Sequence, residues 1–187
     1  RAWASGFAMR DLLKFEFFFS DKATFRDEMK AEARLMDPKF RQRVGTEELR
    51  RQVLFNAPFL ISHRVLPPFL EAYYVVADRL AAQPVDQKID KKAFTEECVR
   101  VGRQYVLQKR LRNPECVSQE IFGNAIALAA NRDLLKPGAP DLARRRQEFA
   151  DELSAAVESM KQIEQLIVAR RAAREAARAA AATQASE

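Results

Sequence analysis

One histidine, two cysteines and two pairs of neighbouring carboxylates are the residues of this 187-residue chain whose types invite a catalytic reading. Any Ser, His and Asp constellation would have to use His63, because there is no second imidazole. An acyl-transfer base of the His, four residues, Asp kind needs a carboxylate five positions on to orient its ring. That position is Pro68, and the pattern fails. His63 sits in an apolar run beside helix-starting prolines and reads as a structural residue that satisfies a buried hydrogen bond. Glu71 with Asp78, and Glu96 with Glu97, are spaced like paired acids. No histidine, metal-ligand set or glycine turn converges on them, so they read as solvated helix charges. Cys98 and Cys116 lack metal-ligand spacing and read as reduced thiols packed on helices. The five glycines stand alone at positions 6, 45, 102, 123 and 138, so no phosphate-cradling loop is present. The residue types therefore nominate no catalytic, cofactor-binding or metal site.

Two clusters suggest contact with other molecules instead. Arg100, Arg103, Lys109, Arg110 and Arg112 fall within thirteen residues that contain no acid. Read as a basic helix face, they form a candidate dock for an acidic protein, lipid headgroups or nucleic acid. The plain alternative is a solvated face with ion pairs of little worth. A helix starting at Asn113 would offer Pro114, Glu115, Cys116 and Ser118 to a DNA groove, so specific base reading is not expected. The second cluster is Met9 to Phe19, MRDLLKFEFFF, which carries Phe15, Phe17, Phe18 and Phe19. As a helix it would line up Ala8, Leu12, Phe15 and Phe19 on one stripe and Met9, Leu13 and Phe17 on another. Apolar residues on two faces require burial between layers, or contact with a neighbouring domain or a membrane.

The elements that must position these clusters are helices. Few glycines and prolines, with many Ala, Leu, Arg and Glu, point to an all-α chain. Ser20 reads as the cap of a helix with Phe25, Met29, Ala33 and Met36 inside, stopped by Pro38. Thr46 reads as the cap of a short helix led by Glu47 and Glu48, carrying Leu49 and Val53. Pro67 and Pro68 set the start of a helix whose seam is Phe69, Tyr73, Val76 and Leu80. Asp90 caps another, with Phe94, Cys98, Val101 and Tyr105 inside. Asn113 and Pro114 read as the start of a helix with Val117, Ile121, Ala125 and Leu128 inside, closed by Lys136 to Pro140. From Asp141 onward nothing breaks the chain. Phe149, Leu153, Ala156, Met160, Ile163 and Ile167 keep a heptad-like spacing, which predicts a long amphipathic helix packing on the chain's own helices. Its Ala and Arg end beyond Arg171 should fray. The expected architecture is a multi-helix bundle over residues 1–140 and this long helix over 141–187.

Thirty-two Lys and Arg against 26 Asp and Glu give a formal charge of +6. All of the excess lies before Asp141, since eight basic and eight acidic residues follow. No apolar run approaches the ~20 residues of a membrane-spanning helix. The chain opens at Arg1 without a signal-peptide pattern and reads as a piece of something longer.

Several blocks in order then resemble one family. MRDLLKFEFFF from Met9 to Phe19, FLEAYYVVADRL from Phe69 to Leu80, GRQYVLQKRLRNPECVSQEIF from Gly102 to Phe122 and NRDLL from Asn131 to Leu135 are similar to the C-terminal region of the membrane-associated glycerol-3-phosphate acyltransferases, in the bacterial, actinobacterial-like branch. The likeness spans Met9 to Leu135 and continues less specifically into the long helix. Cys116 stands where the family pattern leads us to expect Ser, and the Ala and Arg tail matches nothing in it. The resemblance implies an enzyme that moves an acyl chain from acyl-CoA or acyl carrier protein to glycerol 3-phosphate. It implies a peripheral place at the cytoplasmic face of the cell membrane, with no cofactor. It carries no catalytic residue onto this chain, because the family's His and Asp motif and its glycerol phosphate site belong to a preceding domain. The implied partners are that N-terminal acyltransferase domain, the membrane surface and acyl carrier protein. Arg100, Arg103, Lys109, Arg110 and Arg112 would serve an anionic partner, and Phe15, Phe17, Phe18 and Phe19 the domain or membrane contact. The alternative, free of the resemblance, is a helical scaffold that binds an acidic protein or anionic lipid through its basic face.

Overall fold

The computed structural model describes residues 2–36, 38 and 62–184, and every regular element among them is helical. We number the helices α1 (Ala2–Leu12), α2 (Lys22–Met36), α3 (Pro67–Ala81), α4 (Lys91–Leu107), α5 (Gln119–Asn131) and α6 (Leu142–Gln184). A single helical turn, Ser62–Val65, precedes α3, and a 3-10 turn, Pro114–Cys116, precedes α5. The short helix expected after Thr46 lies outside the described residues. Contacts divide the chain into two compact units, one of residues 1–19 and 64–159, the other of 20–63 and 160–187.

The first unit is built around α3. Pro67 and Pro68 open that helix, where a missing amide costs nothing. Leu70, Tyr73, Val75, Val76 and Leu80 are fully buried. Each such aliphatic side chain contributes roughly 1.5 to 3 kcal/mol by leaving water. Helix α4 runs antiparallel to α3, as three cross-links show: Gln83 to Glu97, Asp78 to Tyr105, and Glu71 to Arg112. It is capped as its sequence predicts, with the Asp90 carboxylate accepting the amides of Lys92 and Ala93 at 2.9 and 3.2 Å. Phe94, Cys98 and Tyr105 face inward. Gly102 admits α5, because a Cβ there would stand 3.3 Å from both Phe122 and Val117.

Two helix starts differ from the sequence reading. Asn113 and Pro114 open only the 3-10 turn, and α5 begins later, where the Ser118 hydroxyl accepts the Ile121 amide at 3.5 Å. In the second unit Asp21, not Ser20, caps α2: its carboxylate accepts the amides of Ala23 and Thr24, while the Ser20 hydroxyl donates to Glu28. In both cases the side chain that reaches the free amides is the one immediately before the first helical residue.

Arg146 on α6 holds the first unit together at the end where α3 stops. It is fully buried, and among the described residues no carboxylate pairs with it. Its Nε donates to the Leu134 carbonyl at 2.9 Å and one terminal nitrogen donates to the carbonyls of Gln83 and Pro84 at 3.1 and 3.2 Å. Burial pulls its pKa below the usual arginine range. Phe149 and Leu153 complete this face of α6. Within the second unit Ala33 of α2 and Met160 and Arg170 of α6 are buried.

Candidate functional site

The basic cluster does not lie on one helix face. Helix α4 stops at Leu107, so Arg100 and Arg103 sit on its last turns while Lys109, Arg110 and Arg112 follow on a turn. Lys109 takes the left-handed conformation, φ 59°, at the position where glycine most often ends a helix. Its amide donates to Val106 at 3.0 Å, and the Arg110 amide reaches back to Tyr105 at 2.9 Å. The Arg110 guanidinium then covers the Tyr105 ring, 3.7 Å from its centroid, and donates to the Tyr74 hydroxyl at 3.4 Å. No glycine signals this stop, which is why a continuous basic helix looked plausible from the residue types.

What holds the turn in place is Glu71. It is buried, with both carboxylate oxygens engaged: one accepts the Arg112 amide at 3.1 Å and the other the Asn113 amide at 3.0 Å. The solvated helix charge expected at Glu71 is therefore wrong. A carboxylate on the inner side of α3 finds two backbone donors forty-odd residues away, and such long-range pairing leaves no trace in local spacing. Asp78 is also committed, accepting from the Tyr105 hydroxyl at 2.6 Å and pairing with Arg79 at 3.0 Å. Leu111, buried beside the turn, anchors it further.

The aromatic cluster is likewise not a helix throughout. α1 ends at Leu12, with Leu12 and Leu13 buried, and residues 13–17 form a turn before an irregular stretch. The two-stripe helix expected through Phe19 does not form. Its aromatic residues separate instead: Phe17 packs edge-on against Phe69 of α3 at 5.2 Å and against Phe19 at 6.3 Å. Phe15 is 40% exposed and Phe18 wholly exposed at 109%. Beneath them Glu16 accepts from Asn124 at 3.2 Å, and Lys14 donates to Asn131. Burial raises the Glu16 pKa, opposed by the hydrogen bond from Asn124 and the nearby Tyr73 hydroxyl and assisted by Glu120. Tyr73 is driven up in turn, first by burial and then by the Glu16 charge.

The two cysteines pack inside the first unit. Cys98 and Cys116 are free and buried, and burial pushes both thiols up to about 12. Cys116 belongs to the 3-10 turn rather than to a helix. His63 falls in the turn Ser62–Val65, and its side chain lies outside the described residues. Among the described residues no three metal-ligating side chains come together, and no helix is long and apolar enough to cross a membrane. An open groove of about 510 Å³ between α5 and α6 is lined by Arg132, Asp133, Arg145, Glu148 and Glu152, but Arg132 already pairs with Glu152. Arg146, like Glu71, is a strongly placed polar residue that sequence reading missed, because nothing in its neighbourhood distinguishes it from Arg144 or Arg145.

The chain is similar to several known proteins. The family model described as glycerol-3-phosphate acyltransferase C-terminal region matches residues 1–138. Proteins named "Putative acyltransferase plsB1" from Mycobacterium bovis and from two strains of Mycobacterium tuberculosis are 41% identical over 162 residues. The alignment covers 85% of this chain and 26% of each relative, so the chain spans about a quarter of the length of the curated relatives it matches. No solved structure matches it significantly.

Proposed function

The chain belongs to the glycerol-3-phosphate acyltransferase C-terminal-region family, and from that premise we propose that it is the non-catalytic helical domain of an sn-glycerol-3-phosphate 1-O-acyltransferase. The whole enzyme transfers an acyl group from the thioester of acyl-CoA or acyl carrier protein to the first hydroxyl of glycerol 3-phosphate. One ester bond forms, one thioester breaks, and lysophosphatidate leaves with a free thiol, in the first step of phospholipid synthesis.

The observation that carries the reading is the family match over residues 1–138, whose blocks supply the core of the first unit: Tyr73, Val76 and Leu80 from one, Tyr105, Cys116 and Phe122 from another. The non-catalytic role is supported by His63 having proline five positions on, and by two thiols held protonated by burial. On this reading the catalytic base and the substrate phosphate site belong to an N-terminal acyltransferase domain. Phe15, Phe17, Phe18 and Phe19 meet that domain or the cytoplasmic membrane surface. Arg100, Arg103, Lys109, Arg110 and Arg112 face an anionic partner, with acyl carrier protein one candidate.

The test is acyl transfer from acyl-CoA to labelled glycerol 3-phosphate, measured for the full-length parent and for the 187-residue chain alone. Lysophosphatidate from the parent only is the expected result. Turnover by the isolated chain would overturn the non-catalytic role, and a parent inactive with every acyl donor would overturn the substrate assignment.

A further inference from the structure

The aromatic turn and the basic turn flank the same few residues of α3. Phe17 packs on Phe69, while Glu71 holds the amides of Arg112 and Asn113 and Tyr74 receives Arg110. At 100° per residue, Phe69 and Tyr73 lie on one side of the helix and Glu71, Tyr74 and Asp78 on the other. Both turns therefore sit at the end of the first unit where α3 begins and α4 stops. Three of its exposed large apolar side chains stand on the segments that reach this end: Phe18 at 109%, Leu107 at 83% and Val65 at 46%. Arg103, Lys109 and Arg110 are exposed at the same end. Among the described residues no carboxylate pairs with Arg103 or Lys109. Two acids beside the turn are already committed, Glu71 to backbone amides and Asp78 to Tyr105 and Arg79.

From this juxtaposition we infer that the α3-start end of the unit docks on an anionic lipid surface, with Phe18 and Leu107 entering the headgroup layer and Arg103, Lys109 and Arg110 meeting lipid phosphates. The inference deepens the proposed membrane-peripheral reading and rests on it. A protein partner of standard size needs a continuous complementary patch of about 800 Å². Here the exposed apolar side chains belong to three separate segments, Phe18 after α1, Val65 before α3 and Leu107 at the end of α4, with the exposed Lys109 and Arg110 on the turn next to Leu107. That pattern suits a lipid interface, which accepts scattered aromatic and aliphatic tips and lets cationic stems reach phosphates. The Glu71 clamp keeps the basic turn preformed, so docking does not require ordering it. The docked orientation would stand α3 on its first turn.

The test uses the 187-residue chain and vesicles of phosphatidylcholine with or without about one-third phosphatidylglycerol, read by co-sedimentation. The wild type should partition to the anionic vesicles and lose binding with added salt. Arg103→Gln with Lys109→Gln should lower the partition coefficient about thirtyfold, from the free energy typical of one basic side chain near an anionic surface. Phe18→Ser with Leu107→Ser should also weaken it, leaving the circular dichroism unchanged because neither side chain is buried. The control removes equal charge at the other end, Lys88→Gln with Lys136→Gln, where the Gly138 amide meets the Val85 carbonyl. Retention of that control on vesicles supports the assignment. Equal loss from both charge pairs would mean an undirected electrostatic effect and would overturn it, as would wild type that ignores anionic vesicles, including one that binds an acidic carrier protein instead. No outcome depends on acyl transfer, so failure here leaves the enzymatic reading to its own assay.

Discussion

Glu71 accepts the backbone amide of Arg112 at 3.1 Å from forty-one residues away, and that bond ties α3 to the turn that carries exposed cations. A carboxylate buried in this way is stable only because its second oxygen also has a donor, the Asn113 amide. The basic turn is thus part of the core's hydrogen-bonding scheme rather than a loose surface loop.

Truncating this carboxylate should be costly. Glu71→Ala leaves two partly buried amides without their acceptor and should destabilise the chain by about 1 to 3 kcal/mol, given charge-assisted bonds. Glu71→Gln, which keeps one acceptor oxygen, should lose less. Urea unfolding at neutral pH measures both, and a loss below ~0.5 kcal/mol for the alanine variant would show that water replaces the carboxylate.

Lys109 bears a backbone penalty that glycine would not. Its φ of 59° costs an L-residue roughly 1 kcal/mol relative to glycine. Lys109→Gly should therefore raise the urea midpoint despite removing a charge. A lower midpoint would mean that the lysine side chain makes a contact outweighing the strain.

Glu16 should report pH. Its folded pKa is raised by burial above the ordinary 4.5, so the folded state binds its proton more tightly than the unfolded chain does. The stabilising contribution of this proton is full below the unfolded pKa and is lost as pH rises through the folded pKa. At neutral pH the ionised group opposes folding. Glu16→Gln, which keeps an acceptor for Asn124, should be more stable than wild type at pH 7 and should flatten the pH dependence above pH 4.5. Unfolding curves at both pH values decide this; a less stable variant at pH 7 would contradict it.

Arg146 donates to carbonyls from two separate segments of chain. Arg146→Met should cost about 2 to 4 kcal/mol by leaving those acceptors unpaired. Arg146→Lys should recover little, because an ammonium cannot spread its donors as a planar guanidinium does. Thermal melting compares the three proteins, and full recovery by lysine would mean that only a positive charge is needed.

The thiols offer a check on the packing itself. Cys98 and Cys116 are buried, with pKa values pushed up to about 12. A thiol reagent at pH 8 should leave both unmodified in the native chain and label both in urea. Rapid native labelling of either would show that the first unit opens readily.

Some of this was legible before any coordinates. The seam Phe69, Tyr73, Val76 and Leu80 follows from apolar spacing, as does the seam through Phe94, Cys98 and Tyr105. The Asp90 cap is a local side-chain-to-amide contact, and α6 follows from an unbroken run of helix-forming residues. The helix stops were harder. α1 ends at Leu12 although apolar residues continue to Phe19, because Phe17 is recruited by Phe69, a residue far along the chain. α4 ends at Leu107 although no glycine marks the place.

The amino-acid sequence by itself determined the helical class, the inward stripes of α3 and α4, the long last helix and the family. These depend on 3.6-residue periodicity, on short-range capping and on ordered blocks of residues. Only the tertiary structure decided that Glu71 is buried and bonded to Arg112 and Asn113, that Arg146 joins the ends of separate elements, and that Phe18 stands in solvent while Phe17 does not. Those outcomes rest on donors and acceptors brought together across tens of residues, and a one-dimensional pattern records no such distance.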